Sequence, residues 1–280
     1  MNELQRFDKT SLDCSKKITK NYSTSFSLGI RMIDKDFRWA IYAVYGLVRF
    51  ADEIVDTFHH TDKKTLLDDF KFQTYKSIKD GISLNPVLHA FQLSANRYSI
   101  GEELIEPFFK SMEMDLNQHT YTQIGYEQYI YGSAEVVGLM CLKVFVDGNE
   151  DLYNELKPYA KSLGSAFQKV NFLRDMRSDL DDRGRVYFPD IDFSGFEEHI
   201  KSEIIADIQK DFDHAFIGIK KLPSSCKFGV YTAYIYYLKL LEKIESTPAA
   251  NMLNRRIRIP NSQKMALLFR SYLKVKANTF

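Results

Sequence analysis

Three features of the chain predict an all-α fold. Gly and Pro are scarce, 13 and 7 in 280 residues, below their usual shares of about 7% and 5%, which favours long uninterrupted elements over a turn-rich sandwich. Apolar residues recur at three- and four-residue intervals along most of the length. No series of alternating apolar and polar residues marks out a set of strands.

Taken in order, this periodicity predicts helices over 11–21, 35–57, 64–80, 87–99, 102–117, 123–146, 150–181, 195–218, 227–245 and 261–276. Turn-forming stretches separate several of them. "HHTDKK" closes the second, "GISLNP" precedes the fourth and "DGNED" the seventh. "FPDIDFSGF", "KLPSS" and "STPAANMLNRRIRIP" divide the remainder. No linker is long or low in complexity, and no fixed-period repeat marks a solenoid. One all-α domain over residues 1–280 is the economical assignment.

Composition excludes several functions. The formal net charge is +1 with Lys and Arg scattered among acids, so no nucleic-acid footprint is visible. Cys14, Cys141 and Cys226 stand far apart in neither metal-ligand nor redox spacing, which fits packed thiols in a reducing compartment. The N-terminal "MNELQRFDKT" lacks the apolar stretch of a secretory signal, and the run "WAIYAVYGLV" is shorter than the ~20 residues that span a bilayer. The expectation is a cytoplasmic protein, at most peripheral to the inner face of a membrane, with an undetermined oligomeric state.

Two stretches carry chemistry. In "QKVNFLRDMRSDLDD", relative to Gln168, Asn171 falls at about −60°, Asp175 at about −20° and Asp179 at about +20° around a helix, a stripe about 16 Å long. In "YGLVRFADEIVD", relative to Tyr45, Arg49 falls near +40°, Asp52 near −20° and Asp56 near +20° by the same rotation of about 100° per residue. Exposed, such pairs are ordinary solvated acidic faces that cost only tenths of a kcal/mol. Ala40, Ala43, Val44, Leu47, Ala51, Ile54 and Val55 nevertheless make most other directions of the second helix apolar. Buried carboxylates about 6 Å apart repel by roughly 3 kcal/mol, a penalty that a divalent cation removes. Hard carboxylate oxygens, with no histidine at ligand spacing, select Mg²⁺ over zinc, and Mg²⁺ typically shares its sphere with substrate phosphates. Arg49, Arg174, Arg177, Arg183 and Arg185 supply planar forks for phosphate oxygens. Together these read as a site for a diphosphate held through metal bridges.

The two stretches, with "YSTSFSLG", "YIYGSAEVVG" and the C-terminal "RRIRIP", resemble the squalene/phytoene synthase family over nearly the whole chain. The resemblance implies a type I isoprenoid synthase helical bundle around a central cavity. It implies that Asp52 and Asp56 face Asn171, Asp175 and Asp179 across that cavity, holding two or three Mg²⁺ ions bridged by prenyl diphosphates, with Mn²⁺ as a substitute. Gln168 would line the reaction centre. Ser23, Ser25 and Phe26 match the motif that borders the diphosphate, Arg49 and Arg174 match diphosphate-binding arginines, and Arg256 lies in the matching basic segment. Tyr45, Tyr129, Tyr187 and Tyr236 fall at or near aromatic positions around the reacting carbons. Two departures stand out. Ser133 and Glu135 replace a common Val and Gly, Glu135 bringing a charge towards the expected cavity wall. The first acidic motif reads "ADEIVD" rather than the frequent "DDxxD", with Asp52, Glu53 and Asp56 preserving the carboxylate count.

The implied activity is head-to-head condensation of two geranylgeranyl diphosphates to phytoene without NADPH, the first committed step of carotenoid biosynthesis. "YGSAEVVGLM" and "RRIRIP" look more like phytoene synthases than squalene synthases. A C30 dehydrosqualene or squalene synthase using farnesyl diphosphate is the alternative, and a non-catalytic helical assembly factor of the same fold is the alternative of another class. Release of a greasy product implies transient contact with a membrane.

Overall fold

The computed structural model describes residues 1–117, 120–189, 196–252 and 256–277, the side chain of residue 261 excepted. Among them the chain forms α-helices, one π turn and no strand. The helices are α1 (Glu3–Tyr22), α2 (Thr24–Arg31), α3 (Lys35–Asp56), α4 (Lys63–Asp80), α5 (Pro86–Tyr98), α6 (Glu102–Asn117) and α7 (Gln123–Ile130). After the π turn (Tyr131–Glu135) come α8 (Val136–Val146), α9 (Glu150–Arg183), α10 (Glu198–Lys221), α11 (Ser224–Glu245), α12 (Ala249–Met252) and α13 (Asn261–Ala277). The start of the expected helix 195–218, most of "FPDIDFSGF" and Arg255 of "RRIRIP" lie outside the described residues.

The expected helices form, with four differences, one of them the short α12 inside the expected break "STPAANMLNRRIRIP". The first begins at Glu3 rather than 11, because Asn2 and Gln5 close a reciprocal capping box. A separate α2 follows, because the Ser23 hydroxyl accepts from Phe26 N at 3.2 Å and starts a new helix after the break. The stretch 123–146 is not one α-helix. The Ser111 hydroxyl donates to the carbonyls of Gln128 (3.5 Å) and Tyr129 (3.2 Å), and the backbone then widens into the π turn. By length and composition Gln123–Val146 is apolar enough to cross a membrane, but half of that window is buried within the bundle.

Helix α3 starts at Asp34, whose carboxylate accepts from Asp36 N, and buries Ala40, Val44, Leu47, Ala51 and Val55 against α1, α5 and α8. Helix α9, 34 residues and about 51 Å long, packs on α8, α10 and α11. The two acidic helices thus share α8 as a neighbour. At its end Gly184 takes φ 63°, a left-handed conformation that glycine adopts without strain. The chain reverses there, and the single isolated bridge among the described residues, Thr120 with Val186, holds Arg185–Phe188 beside the end of α6.

The π turn is pressed onto α9. A Cβ on Gly164 would lie 2.6 Å from the Ala134 carbonyl oxygen, backbone that cannot swing aside. Gly164→Ala is therefore expected to cost about 1–3 kcal/mol by overpacking. A urea titration reads this as a lower midpoint, and an unchanged midpoint would show that the two backbones can part freely.

Candidate active site

Helix α3 presents Arg49, Asp52 and Asp56 along one side. Arg49 pairs with Glu53, lies 3.8 Å from Asp52 and stacks over the Tyr22 ring at 4.3 Å. Its buried Nε has no hydrogen-bond partner, an uncommon state for a charged donor that an oxyanion would relieve. Glu53 is engaged by Arg49 and, at 2.7 Å, by Thr57. Burial alone would raise its carboxyl, but Thr57 and Arg49 hold it below the usual range, so Glu53 acts as a partner of Arg49 rather than a third member of the stripe. Asp52 keeps 36% of its side chain exposed, yet surrounding protein raises its carboxyl to about 7. Desolvation is the main cause; Asp56, Asp115 and Glu53 add to it and Arg49 opposes.

Helix α9 carries the other stripe, linked by hydrogen bonds. Gln168 donates to the Ser133 hydroxyl of the π turn at 3.3 Å, and Asn171 donates back to Gln168 at 3.4 Å. The Tyr237 hydroxyl donates to Asn171 Oδ1 at 3.2 Å. Asp175 is gripped by Arg174 (3.0 Å to Nε) and by Arg256 (2.7 Å to Nε). Although burial would lower it, Asp175 holds Arg174 above the usual arginine range. Asp179 is raised to about 7, first by desolvation, then by Asp175 and Asp56, with Arg183 opposing.

The stripes meet across arginines. Arg183 reaches Asp179 Oδ1 at 2.8 Å with Nη1 and Asp56 Oδ2 at 3.3 Å with Nε. One guanidinium therefore spans the gap between α3 and α9. Arg185 approaches Asp56 from the other side at 2.9 Å and continues to Asp115, 3.5 Å to the carboxylate and 2.9 Å to the carbonyl.

Asp115, buried on α6, is the functional candidate that sequence reading misses. It accepts from the hydroxyls of Tyr129 (2.7 Å), Tyr187 (3.2 Å) and Tyr121 (3.4 Å). Desolvation raises its carboxyl to about 6, with Arg185 and the Tyr129 hydroxyl opposing. No second acid stands three or four residues from it in "SMEMDLNQ"; only the fold brings its partners. The tyrosine rings cluster with Phe172, which stacks on Tyr187 at 4.1 Å and 10°. Tyr129 and Tyr187 are pushed well above 10 by burial and by Asp115, so both stay protonated hydroxyls.

The remaining candidates lie along one rim. Phe26 stacks on Tyr45 at 5.2 Å, and Ser23 caps α2 beside the Tyr45 hydroxyl, whose pKa burial pushes up to about 12. Ser25 is partly buried in the first turn of α2. Tyr236 meets the Lys264 ammonium at 5.6 Å and lies edge-on to Tyr237. The hydroxyl that reaches the α9 stripe is thus that of Tyr237, next in sequence, and the rotation of about 100° between adjacent residues makes the difference.

Beside the α9 stripe a cavity of about 10 Å³ is lined by Phe172, Met176, Asp179, Arg185, Tyr187 and Phe188, where arginines and rings pack closely. A wider groove of about 450 Å³ lies between α10 and α11, away from both stripes. Glu135 does not add a free charge to the cavity wall, since it pairs with Lys161 at 3.0 Å. Burial still raises its carboxyl, with Lys161 opposing. The three cysteines are free thiols, as their spacing predicts.

Among the described residues no three carboxylates, histidines or cysteines converge as a ready metal centre, because the acids are drawn onto guanidinium groups. The donor set still fits Mg²⁺. Its oxygens are hard, and two of its carboxyls, Asp52 and Asp179, are raised to about 7, chiefly by desolvation with neighbouring carboxylates adding, a cost that a bound cation would offset.

The residue pattern of the squalene/phytoene synthase family matches residues 19–263, which contain both stripes, Asp115 and the Arg185–Tyr187 turn. The chain belongs to the squalene/phytoene synthase family. As a member it is a prenyltransferase of the phytoene synthase type. A phytoene synthase of Arthrospira platensis is 29% identical over 95% of this chain and 94% of its own length. A 4,4'-diapophytoene synthase of Staphylococcus haemolyticus is also 29% identical, over 70% of this chain and 68% of its own. A dehydrosqualene synthase crystallised with a ligand superposes with a TM-score of 0.83 at 20% identity, covering 99% of this chain and all of that one. This last likeness establishes the all-α fold shared by squalene/phytoene synthase family members.

Proposed function

We propose that the protein condenses two geranylgeranyl diphosphates head to head to phytoene, with Mg²⁺ and without NADPH. The observation that carries this reading is the single Arg183 guanidinium touching Asp56 of α3 and Asp179 of α9. Two acidic helices that close on one cation form a cleft suited to a polyanion accompanied by cations. Asp52, Asp56, Asn171, Asp175 and Asp179 would hold the ions, which neutralise diphosphate charge and so ease its departure.

This chain's own groups perform the rest. Arg49, with its free Nε, and Arg174 and Arg256, on substrate binding, would turn to the diphosphate oxygens and stabilise charge as the C1–O bond breaks. Loss of diphosphate from the first substrate leaves an allylic cation. The C2=C3 bond of the second substrate attacks it and a proton departs, giving a cyclopropylcarbinyl diphosphate. A second ionisation, rearrangement and proton loss give the triene and a second diphosphate. The Tyr129, Tyr187 and Phe172 rings shield these cations from water and stabilise them by about 1–2 kcal/mol per favourable ring. Because the Tyr129 and Tyr187 hydroxyls stay protonated and donate to Asp115, the departing diphosphate is the better acceptor for the final proton.

The C30 reading rests on a specific observation, the equal identity to a diapophytoene synthase. Purified protein given C15 and C20 diphosphates separately, with Mg²⁺ and with or without NADPH, is expected to yield a C40 triene from C20 whose mass NADPH does not change. A C30 product from C15 alone would replace the substrate assignment. No Mg²⁺-dependent diphosphate release from either would favour the non-catalytic assembly reading.

A further inference from the structure

We propose that the outward face of α13 docks the enzyme on an anionic lipid surface, next to the rim of the prenyl site. On α13, Met265, Phe269 and Leu273 lie within about 40° of one line. They are 58%, 63% and 49% exposed, and Tyr272 beside them is 45% exposed. Such a ridge is costly in water unless something apolar covers it. The opposite face, Leu267, Leu268, Ser271 and Val275, is the one turned towards the protein, where α13 packs on α11. The outward apolar ridge is therefore not a by-product of core packing.

Charge selects the occupant. Residues 246–280 hold seven Lys and Arg and no Asp or Glu, in a chain whose net charge is only +1. Arg256 serves Asp175, but Arg270 and Lys274 are exposed and flank the ridge at about 100° and 140° from Phe269. An apolar strip bordered by cations fits a helix lying in the interface of an anionic bilayer, with Phe and Leu among the acyl chains and Lys and Arg at the headgroups. A second copy of this chain would meet the same cations and be repelled. Placement supports the same partner. Lys264, in the first turn of α13, donates to the Thr24 hydroxyl at 3.1 Å and sits over Tyr236, so the ridge begins at the substrate rim. The surface itself stands on exposure and charge; its use in passing a prenyl product to lipid rests on the proposed function.

Flotation of the full-length protein with vesicles, without substrate, tests the surface independently of catalysis. Binding is expected to phosphatidylcholine vesicles containing phosphatidylglycerol, to weaken with salt, and to be far lower on phosphatidylcholine alone. Arg270→Gln with Lys274→Gln is expected to weaken it about 25-fold, about fivefold for each cation. Met265→Gln with Phe269→Gln is expected to weaken it at least as much. Both variants should keep wild-type circular dichroism and detergent-supported diphosphate release. Equal binding to neutral vesicles, no binding to either, unchanged binding by the folded variants, or a dimer that Phe269→Gln dissolves would each overturn the proposal. Vesicle binding without diphosphate release would retain the lipid surface while removing the catalytic reading.

Discussion

Asp52→Asn is expected to lower turnover at least about a thousand-fold while leaving the helical fold intact. A single group that stabilises developing charge is typically worth about 10²–10³ in rate, and Asp52 would also help hold the ions on which the other carboxylates depend. The same change should not harm stability at alkaline pH. In the folded protein the Asp52 carboxyl is raised from 3.8 to about 7, so between those values the folded state binds more protons than the unfolded one. Its contribution is complete below about pH 4 and disappears as pH rises through about 7. An amide carries no such dependence. Thermal melts without metal should therefore show Asp52→Asn at or above wild type at pH 8, with the comparison moving towards wild type as the pH is lowered. Retained turnover would place Asp52 outside the reaction, and unfolding at pH 8 would make it a structural residue.

Arg185→Met is expected to produce the largest loss of stability, about 3–5 kcal/mol, on the order of 10 °C in melting temperature for a chain of this size. Arg185 is buried, bonds Asp56, the Asp115 carbonyl and the Tyr187 hydroxyl, and lies 3.5 Å from the Asp115 carboxylate. Methionine matches much of its volume but leaves Asp115 without its cation in a buried setting, where the carboxyl must either stay charged and unpaired or take up a proton. Breaking one side of such a network costs far more than removing both. The double change Arg185→Met with Asp115→Asn should accordingly recover a substantial part of the loss, which differential scanning calorimetry measures directly. Turnover should stay low even in the recovered protein, because Tyr187 loses the donor that fixes its ring against Phe172. Wild-type stability in the single variant would show that water reaches Asp115 and that the cluster is no buried network.

How much of the site is legible in sequence follows from distance along the chain. Asp52 with Asp56, and Gln168 with Asn171, Asp175 and Asp179, share faces because a helix repeats every 3.6 residues, so spacing alone aligned them. Arg183 carries the same local signal, four residues after Asp179. Asp115 carries none, because its partners Tyr129, Tyr187 and Arg185 lie 14, 72 and 70 positions away. Tyr237 rather than Tyr236 reaches Asn171 because of the rotation of α11 about its axis, which packing fixes and hydropathy periodicity in an aromatic-rich helix does not. The π turn escaped for a related reason: it lies against distant backbone, Gly132 close to the Pro107 carbonyl and Ala134 close to Gly164, with the Ser111 hydroxyl on the Tyr129 carbonyl.

By itself the sequence determined that the chain is helical, where most helices run and which acidic stripes two of them carry, since each of these depends on neighbours within a few turns. The tertiary structure decided that the stripes face each other, that arginines bridge them, and that a buried aspartate organises three tyrosines. Those facts arise from contacts between segments far apart in the chain, whose relative placement is set by the packing of α3, α6 and α9 around α8 and by the reversal at Gly184.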